Sequence, residues 1–200
     1  MKPVTTRAAR YRVYLSVRYE TAADFVREYA ENLSRGGLFI RGARGLRRHG
    51  EMVVEVELPG FGAYQLRAEV VHVITEAMAA EHGRTAGAGL AIREAPEGFA
   101  EALAAYLVRL GRRADSQVLA ADDRLARLLV AAGYRVSAAP PPAGLAAAIE
   151  RRERPIVGVV VPQDRVVVYR HAAGRSADLV LAMDEPGQID EVLVHLDRRL

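Results

Sequence analysis

The hydrophobic period of this chain changes at residue 96 and again near residue 117, and those changes limit what it can fold into. Up to residue 94 several segments place apolar residues at every second position, while 23–34 is less regular. "YRVYLSVRYE" (11–20) alternates Val13, Leu15 and Val17, and "EMVVEVELPG" (51–60) alternates Val54, Val56 and Leu58 before stopping at Pro-Gly. "YQLRAEVVHVIT" (64–75) alternates Leu66, Ala68 and Val70 and then runs apolar. A period of two marks a strand with one face buried. With "ADFVREYAENLS" (23–34), "GGLFIRG" (36–42) and "TAGAGLAIRE" (85–94), the pattern predicts six strands and no helix among them. Short strands separated by turn residues indicate a small antiparallel β-barrel, whose closure removes exposed edges.

"PEGFAEALAAYLVRLGRR" (96–113) follows a helical period instead, with Phe99, Leu103, Tyr106, Leu107 and Leu110 on one face. "RRADSQ" (112–117) reads as a linker. Beyond it strand and helix alternate: strand 118–122, helix 123–133, strand 134–139, helix 140–154 and the apolar strand "PIVGVVVP" (155–162). "RVVVYR" (165–170) and "ADLVLAM" (177–183) read as further strands, and "GQIDEVLVHLDRRL" (187–200) as a terminal helix. Alternation of this kind predicts a mostly parallel sheet covered by helices. The expectation is a two-domain α+β chain, with a barrel plus helix over 1–113 and a small α/β domain over 116–200.

Composition removes several function classes. There is no cysteine, hence no disulfide, thiolate metal site or cysteine nucleophile. No apolar run reaches the roughly 20 residues of a membrane span, and the N-terminus lacks the apolar core of a secretory signal. A cytoplasmic protein without membrane insertion is expected. His49, His72, His82, His171 and His195 show no metal spacing, and His72 is expected half-exposed in a strand. No nucleophile elbow, phosphate loop or dinucleotide fingerprint occurs, so no catalytic residue, metal or cofactor is assigned.

Charge is uneven. Residues 1–50 hold eleven Lys/Arg against four acids, in a chain of net charge +3. A basic first quarter suits an anionic ligand, and a solvated arginine-rich surface gives the same count. Nucleic-acid binding through Arg35, Arg41, Arg44, Arg47 and Arg48 is not favoured, because no row of aromatic residues accompanies them.

The stretch "EYAENLSRGGLFIRG" (28–42) is overloaded for a hairpin turn. It contains Asn32-x-Ser34-x-x-Gly37, with Arg7 and Arg10 upstream on the run into the first strand. Guanidinium groups fork onto phosphate and guanine edges, a short Asn and Ser supply donors and acceptors, and glycine lets backbone approach a ligand or take positive φ. Together these residues make an anion and purine site; without a ligand, they make a structural turn.

An arginine-led first strand, this Asn-x-Ser-x-x-Gly and a six-stranded barrel with a helix resemble a PilZ domain. "FVREYAENLSRGGLFIRG" is similar to the subgroup abundant in myxobacteria and their relatives, and "AGAGLAI" (86–92) looks like that family's last strand. The resemblance covers about 1–110. It implies a receptor for the bacterial second messenger cyclic di-GMP. In the family pattern two arginines spaced Arg-x-x-x-Arg clamp guanine and phosphate, and the Asn-x-Ser-x-x-Gly strand forms the other wall. Carried over, the site is Arg7, Arg10, Asn32, Ser34 and Gly37. In register Arg10 takes the second arginine's place and Thr6 the first; Arg7 is one residue away, and no pair among Arg7, Arg10 and Arg12 has the four-residue spacing. A PilZ-like protein-interaction module without cyclic di-GMP therefore stays open beside the receptor.

"VLAADDRLARLLVAAGYRVSAA" is similar to the opening of a response-regulator receiver domain, and "ADLVLAMDEPGQIDEVLVHL" to its ending. The resemblance places Asp122 and Asp123 at the family's metal-binding acidic pair, Pro162 at the phosphoacceptor and Met183 at the conserved lysine. The departures at Pro162 and Met183 make this a shortened, phosphorylation-dead version, in which Asp122 and Asp123 are loop acids, with Asp123 capping the helix, rather than a residual Mg²⁺ site. The two resemblances imply a non-enzymatic adaptor in motility, polarity or surface behaviour. It would act through a protein partner, and its second domain would serve interaction or homodimerisation.

Overall fold

The computed structural model describes residues 13–17, 22–24, 32–150 and 154–200. Contacts divide the chain into two compact units. The first ends at Ala104, and the second runs from Ala105 to Leu200 with the segment Glu20–Asp24.

The first unit is built on a five-stranded sheet. Its strands are β1 (Val13–Val17), β2 (Gly37–Arg41), β3 (Glu51–Leu58), β4 (Gly62–Ile74) and β5 (Gly87–Glu94). They lie in the order β1-β3-β4-β5-β2. β3, β4, β5 and β2 are antiparallel neighbours, while β1 runs parallel to β3, with Val13 opposite Met52. The alternation read in the sequence becomes the core. Met52, Val54, Val56 and Leu58 of β3 are buried, as are Leu66, Ala68 and Val70 of β4 and Ala88 and Leu90 of β5. Each fully buried Val or Leu contributes about 1.5–3 kcal/mol. β3 and β4 form a hairpin, closed where Leu58 pairs with Gly62 and the Phe61 N–H donates to the Leu58 carbonyl. Gly60, at φ 77° inside that loop, takes the left-handed conformation that glycine adopts without steric cost.

Three features depart from the expected barrel. Where a strand was expected over 23–34, residues 22–24 are helical and Leu33–Arg35 form a 3-10 turn; residues 25–31 lie outside the described residues. The sheet therefore has five strands among the described residues, and one pairing is parallel. A helix, α1 (Glu76–His82), stands between β4 and β5. It is short but capped at both ends. The Thr75 side chain accepts from the Met78 N–H, and Gly83 closes the helix at φ 61°.

Helix α2 (Phe99–Asp115) follows. Its first residue packs edge-on against Tyr64, with ring centroids 5.4 Å apart.

The second unit alternates strictly: β6 (Gln117–Ala120), α3 (Asp123–Ala131), β7 (Arg135–Ala138), α4 (Pro142–Glu150), β8 (Ile156–Val161), α5 (Val166–Ala173), β9 (Val180–Ala182) and α6 (Ile189–Asp197). All pairings are parallel, in the order β7-β6-β8-β9. Every residue of β8 is buried, as a strand covered on both faces requires. One face packs Val118, Ala120, Val157 and Val160 against Leu125 and Leu129 of α3 and Val192 and Leu196 of α6. The other packs Leu119, Val159 and Val161 against Leu145 and Ile149 of α4 and Val166, Tyr169 and Ala173 of α5.

The expected strand at 165–170 is α5 instead. Val166, Tyr169 and Ala173 are buried at i, i+3 and i+7, leaving Val167 and Val168 exposed. Topology decides the matter, because β9 runs parallel to β8 and a parallel neighbour needs a crossover that only an intervening helix supplies here. The expected strand at 177–183 shrinks to three residues, preceded by 3-10 turns over Gly174–Leu179.

Candidate functional site

The stretch 32–37 is a closed turn at the head of β2. The Asn32 carbonyl accepts from both the Arg35 and Gly37 N–H groups at 3.0 Å, and the Gly36 N–H donates to the Leu33 carbonyl at 3.0 Å. Leu33 is buried beneath the turn. Gly36 sits at φ 73°, in the left-handed region. Gly37 serves a different need: a Cβ there would stand 3.1 Å from the Leu90 carbonyl oxygen of β5. The two glycines thus follow from a tight turn pressed onto a neighbouring strand, which the Gly36 carbonyl joins by accepting from the Ile92 N–H at 2.7 Å.

Of the carried-over residues, Asn32, Ser34 and Gly37 come together in this turn. Asn32 is half-buried and its side chain does not cap the 3-10 turn; Ser34 is that turn's middle residue. Arg7 and Arg10, with Thr6 and Arg12, lie outside the described residues.

From the turn the outer face of the sheet opens in rows. Gly37 stands opposite Ala91, and Ala91 opposite Glu69. The Glu69 carboxylate accepts from Arg93 Nε at 3.1 Å and a terminal guanidinium nitrogen at 2.8 Å, and pairs with His49 Nδ1 at 2.8 Å. The His49 ring first, and then the Arg93 guanidinium, hold that carboxyl below the usual carboxylate range. In the next row Phe39 stands opposite Gly89 and Gly89 opposite His72. The Phe39 and His72 rings stack at 6.3 Å with 27° between their planes. One row further, Arg41 stands opposite Gly87 and Gly87 opposite Ile74.

His72 lies in a strand and is exposed, with its ring over Gly89. Neither it nor Phe39 was marked by sequence as a binding residue. The available signal was the lapse of alternation in "AEVVHVIT", where one extra residue shifts everything after Val70. Beyond β2, the loop carries exposed Arg44, Arg47 and Arg48, with Arg44 paired to Glu76 of α1 at 2.6 Å.

In the second unit the acids at the strand ends have structural work. Asp122, rather than the expected Asp123, caps α3 by accepting the Leu125 N–H at 2.9 Å. Asp184 accepts the Gln163 N–H at 2.9 Å, and its own carbonyl receives Arg124. Met183 is buried. No three His, Asp or Glu side chains gather around one point among the described residues.

The strongest ionic arrangement lies elsewhere in this unit. Arg113 forks onto Asp197 at 2.8 and 2.6 Å and donates to the Ala132 carbonyl, while the Tyr134 hydroxyl donates to Asp197 at 2.6 Å. Burial alone would raise the Asp197 carboxyl, but the Arg113 fork and the Tyr134 hydroxyl outweigh it and hold it below its ordinary value. Burial, reinforced by Asp197, pushes the Tyr134 hydroxyl far up.

No helix among the described residues is long and apolar enough to cross a membrane. No curated protein and no solved structure matches the chain. The family profile of the PilZ domain matches residues 5–109. That span takes in the Asn32–Gly37 turn, the whole outer face built from it, and more than half of the sequence: the chain belongs to the PilZ family.

Proposed function

We propose that this chain is a cyclic di-GMP receptor that works as a non-enzymatic adaptor, since PilZ domains are typically non-enzymatic binding modules that generally bind cyclic di-GMP or act as adaptors. The observation that carries the reading is the turn at 32–37. It sets Asn32, Ser34 and Gly37 at the head of an outer sheet face within a matched PilZ domain. Arg7 and Arg10 hold guanine and phosphate, and the turn forms the opposite wall. Binding bridges the arginines and the turn through the nucleotide and so changes the surface a partner meets.

The second unit is read as a shortened receiver-like domain. Its strand order and helix distribution support this, and the employment of Asp122 and Asp184 in local hydrogen bonds supports its having no phosphorylation chemistry. It offers an interaction or dimerisation surface. The likeness of 25–42 to the subgroup abundant in myxobacteria supports roles in motility, polarity or surface behaviour.

One observation favours a second reading, an interaction module without the nucleotide. Gly36 is accounted for by the turn's left-handed φ and Gly37 by the approach of the Leu90 carbonyl, without any ligand, and Arg7 and Arg10 stand three residues apart rather than four. Thermal melting separates the readings. A ligand at 100 times its Kd stabilises the folded state by about 2.7 kcal/mol. The receptor reading expects cyclic di-GMP, but not GMP, to raise the melting temperature, and magnesium with beryllofluoride to leave it unchanged. A melting curve indifferent to cyclic di-GMP supports the second reading; a response to beryllofluoride overturns the account of the second unit.

A further inference from the structure

Plain alternation along β4 would return His72 to the core. Val70 is fully buried and faces inward, so the residue two positions on should do the same. It does not, because the register slips: Val70 pairs with Leu90, yet His72 pairs with the very next residue, Gly89. Val71 is the extra residue of a β-bulge. Bulges of this kind re-aim a side chain, and here the bulge turns an imidazole out to solvent.

What the ring meets is as specific as its direction. A Cβ on Gly89 would lie 2.1 Å from His72 Cε1, and one on Gly87 would lie 2.9 Å from the end of the Phe39 ring. Both rings therefore lean over a strand that carries no side chains at those positions. Phe39 is half-buried and backs the pair; His72 is the exposed member. The row on one side presents exposed Arg41, two residues along β2 and on the same face as Phe39. The row on the other side begins at Gly37 of the proposed site and continues to Glu69, whose charge is answered by Arg93 and His49. Rows two residues apart are separated by roughly 6.5–7 Å, a distance that a base and its phosphate can bridge.

We propose that His72, backed by Phe39 and flanked by Arg41, is a stacking wall for a purine base of cyclic di-GMP on the outer face of the sheet. This rests on the receptor reading above and extends its site from β2 across β5 to β4. A flat ring over glycine gives a base a face to lie on. Arg41, one row away, supplies the cation for its phosphate. Cross-strand cover for two glycines is the purely structural alternative.

The test titrates cyclic di-GMP into the full chain and into His72→Ala and His72→Phe, with circular dichroism confirming the fold. The proposal expects His72→Ala to weaken binding about tenfold and His72→Phe to stay within about twofold of wild type. It also expects the His72 ring protons of the wild-type protein to move upfield at saturation, a ring-current signature that a structural role would not produce. Unchanged affinity in His72→Ala, or unmoved ring protons in a saturated wild-type sample, overturns the stacking wall and leaves the receptor reading standing. No binding by the wild-type protein overturns both. If His72→Ala does not fold, the ring-proton shift and the phenylalanine variant decide.

Discussion

At the scale of single residues, Asp197 ties Arg113 and Tyr134 together in the second unit. It answers Arg113, whose side chain is only 4% exposed, and receives the Tyr134 hydroxyl. Removing one partner of such a pair leaves a buried charge uncompensated, which costs about 3–5 kcal/mol. Asp197→Ala should lower stability by that amount in urea. The pH dependence follows from the depressed carboxyl. Its contribution is complete above the unfolded carboxylate value and drains away as pH falls through the lower folded value. Wild-type stability should therefore fall more steeply than that of Asp197→Asn as pH drops below about 4. Equal slopes in the two proteins would show that the carboxylate's charge does not stabilise the fold. Residues also mark where sequence reasoning stops. Gly36 and Gly37 were recognisable as a pair with a purpose, but their separate reasons, a left-handed φ and the approach of the Leu90 carbonyl, require the neighbouring strand. His72 was hidden because its outward direction depends on one unpaired residue, Val71.

At the scale of elements, close approach decides what sequence can specify. Helix α6 lies against β8 at Gly158, where a Cβ would stand 2.2 Å from Leu196 Cδ2. Leu196 is fully buried, so its methyl cannot simply swing away. Gly158→Ala should cost about 1–3 kcal/mol by overpacking, seen as a lower urea midpoint with an unchanged slope; an unshifted midpoint would mean that the helix can ride up at no cost. Elements with clean periodicity were readable from residues alone: β3 and the part of β4 up to Val70 by twos, α2 and α6 by the helical repeat, β8 by its unbroken apolar run. Those that escaped did so for physical reasons. α5 begins with three valines, a run that favours a strand until the parallel pairing of β8 with β9 demands a crossover. α1 spans seven residues and buries only Ala79, so it shows little amphipathic pattern; its caps, Thr75 and Gly83, were the only advance notice. The parallel partnership of β1 with β3 joins segments distant in sequence, which periodicity does not address.

At the scale of the whole molecule, the chain combines two ways of covering a sheet. The first unit buries one face of a mostly antiparallel sheet and leaves an outer face on which side chains alternate freely; the second buries both faces of a parallel sheet. Among the described residues, the first unit has a broad sheet surface to offer a flat ligand, and that surface begins at the Asn32–Gly37 turn and lies within the PilZ match. The central proposal is that the chain binds cyclic di-GMP through Asn32 of this face together with Arg10. Isothermal calorimetry tests it most directly, with wild-type protein at tens of micromolar against excess cyclic di-GMP and the Arg10→Ala, Asn32→Ala double variant in parallel. The account predicts saturable heat from the wild type and a loss of at least about tenfold in affinity from the double variant, two charge-assisted or buried polar contacts being removed. No heat from the wild type, or equal binding by the double variant, would contradict it.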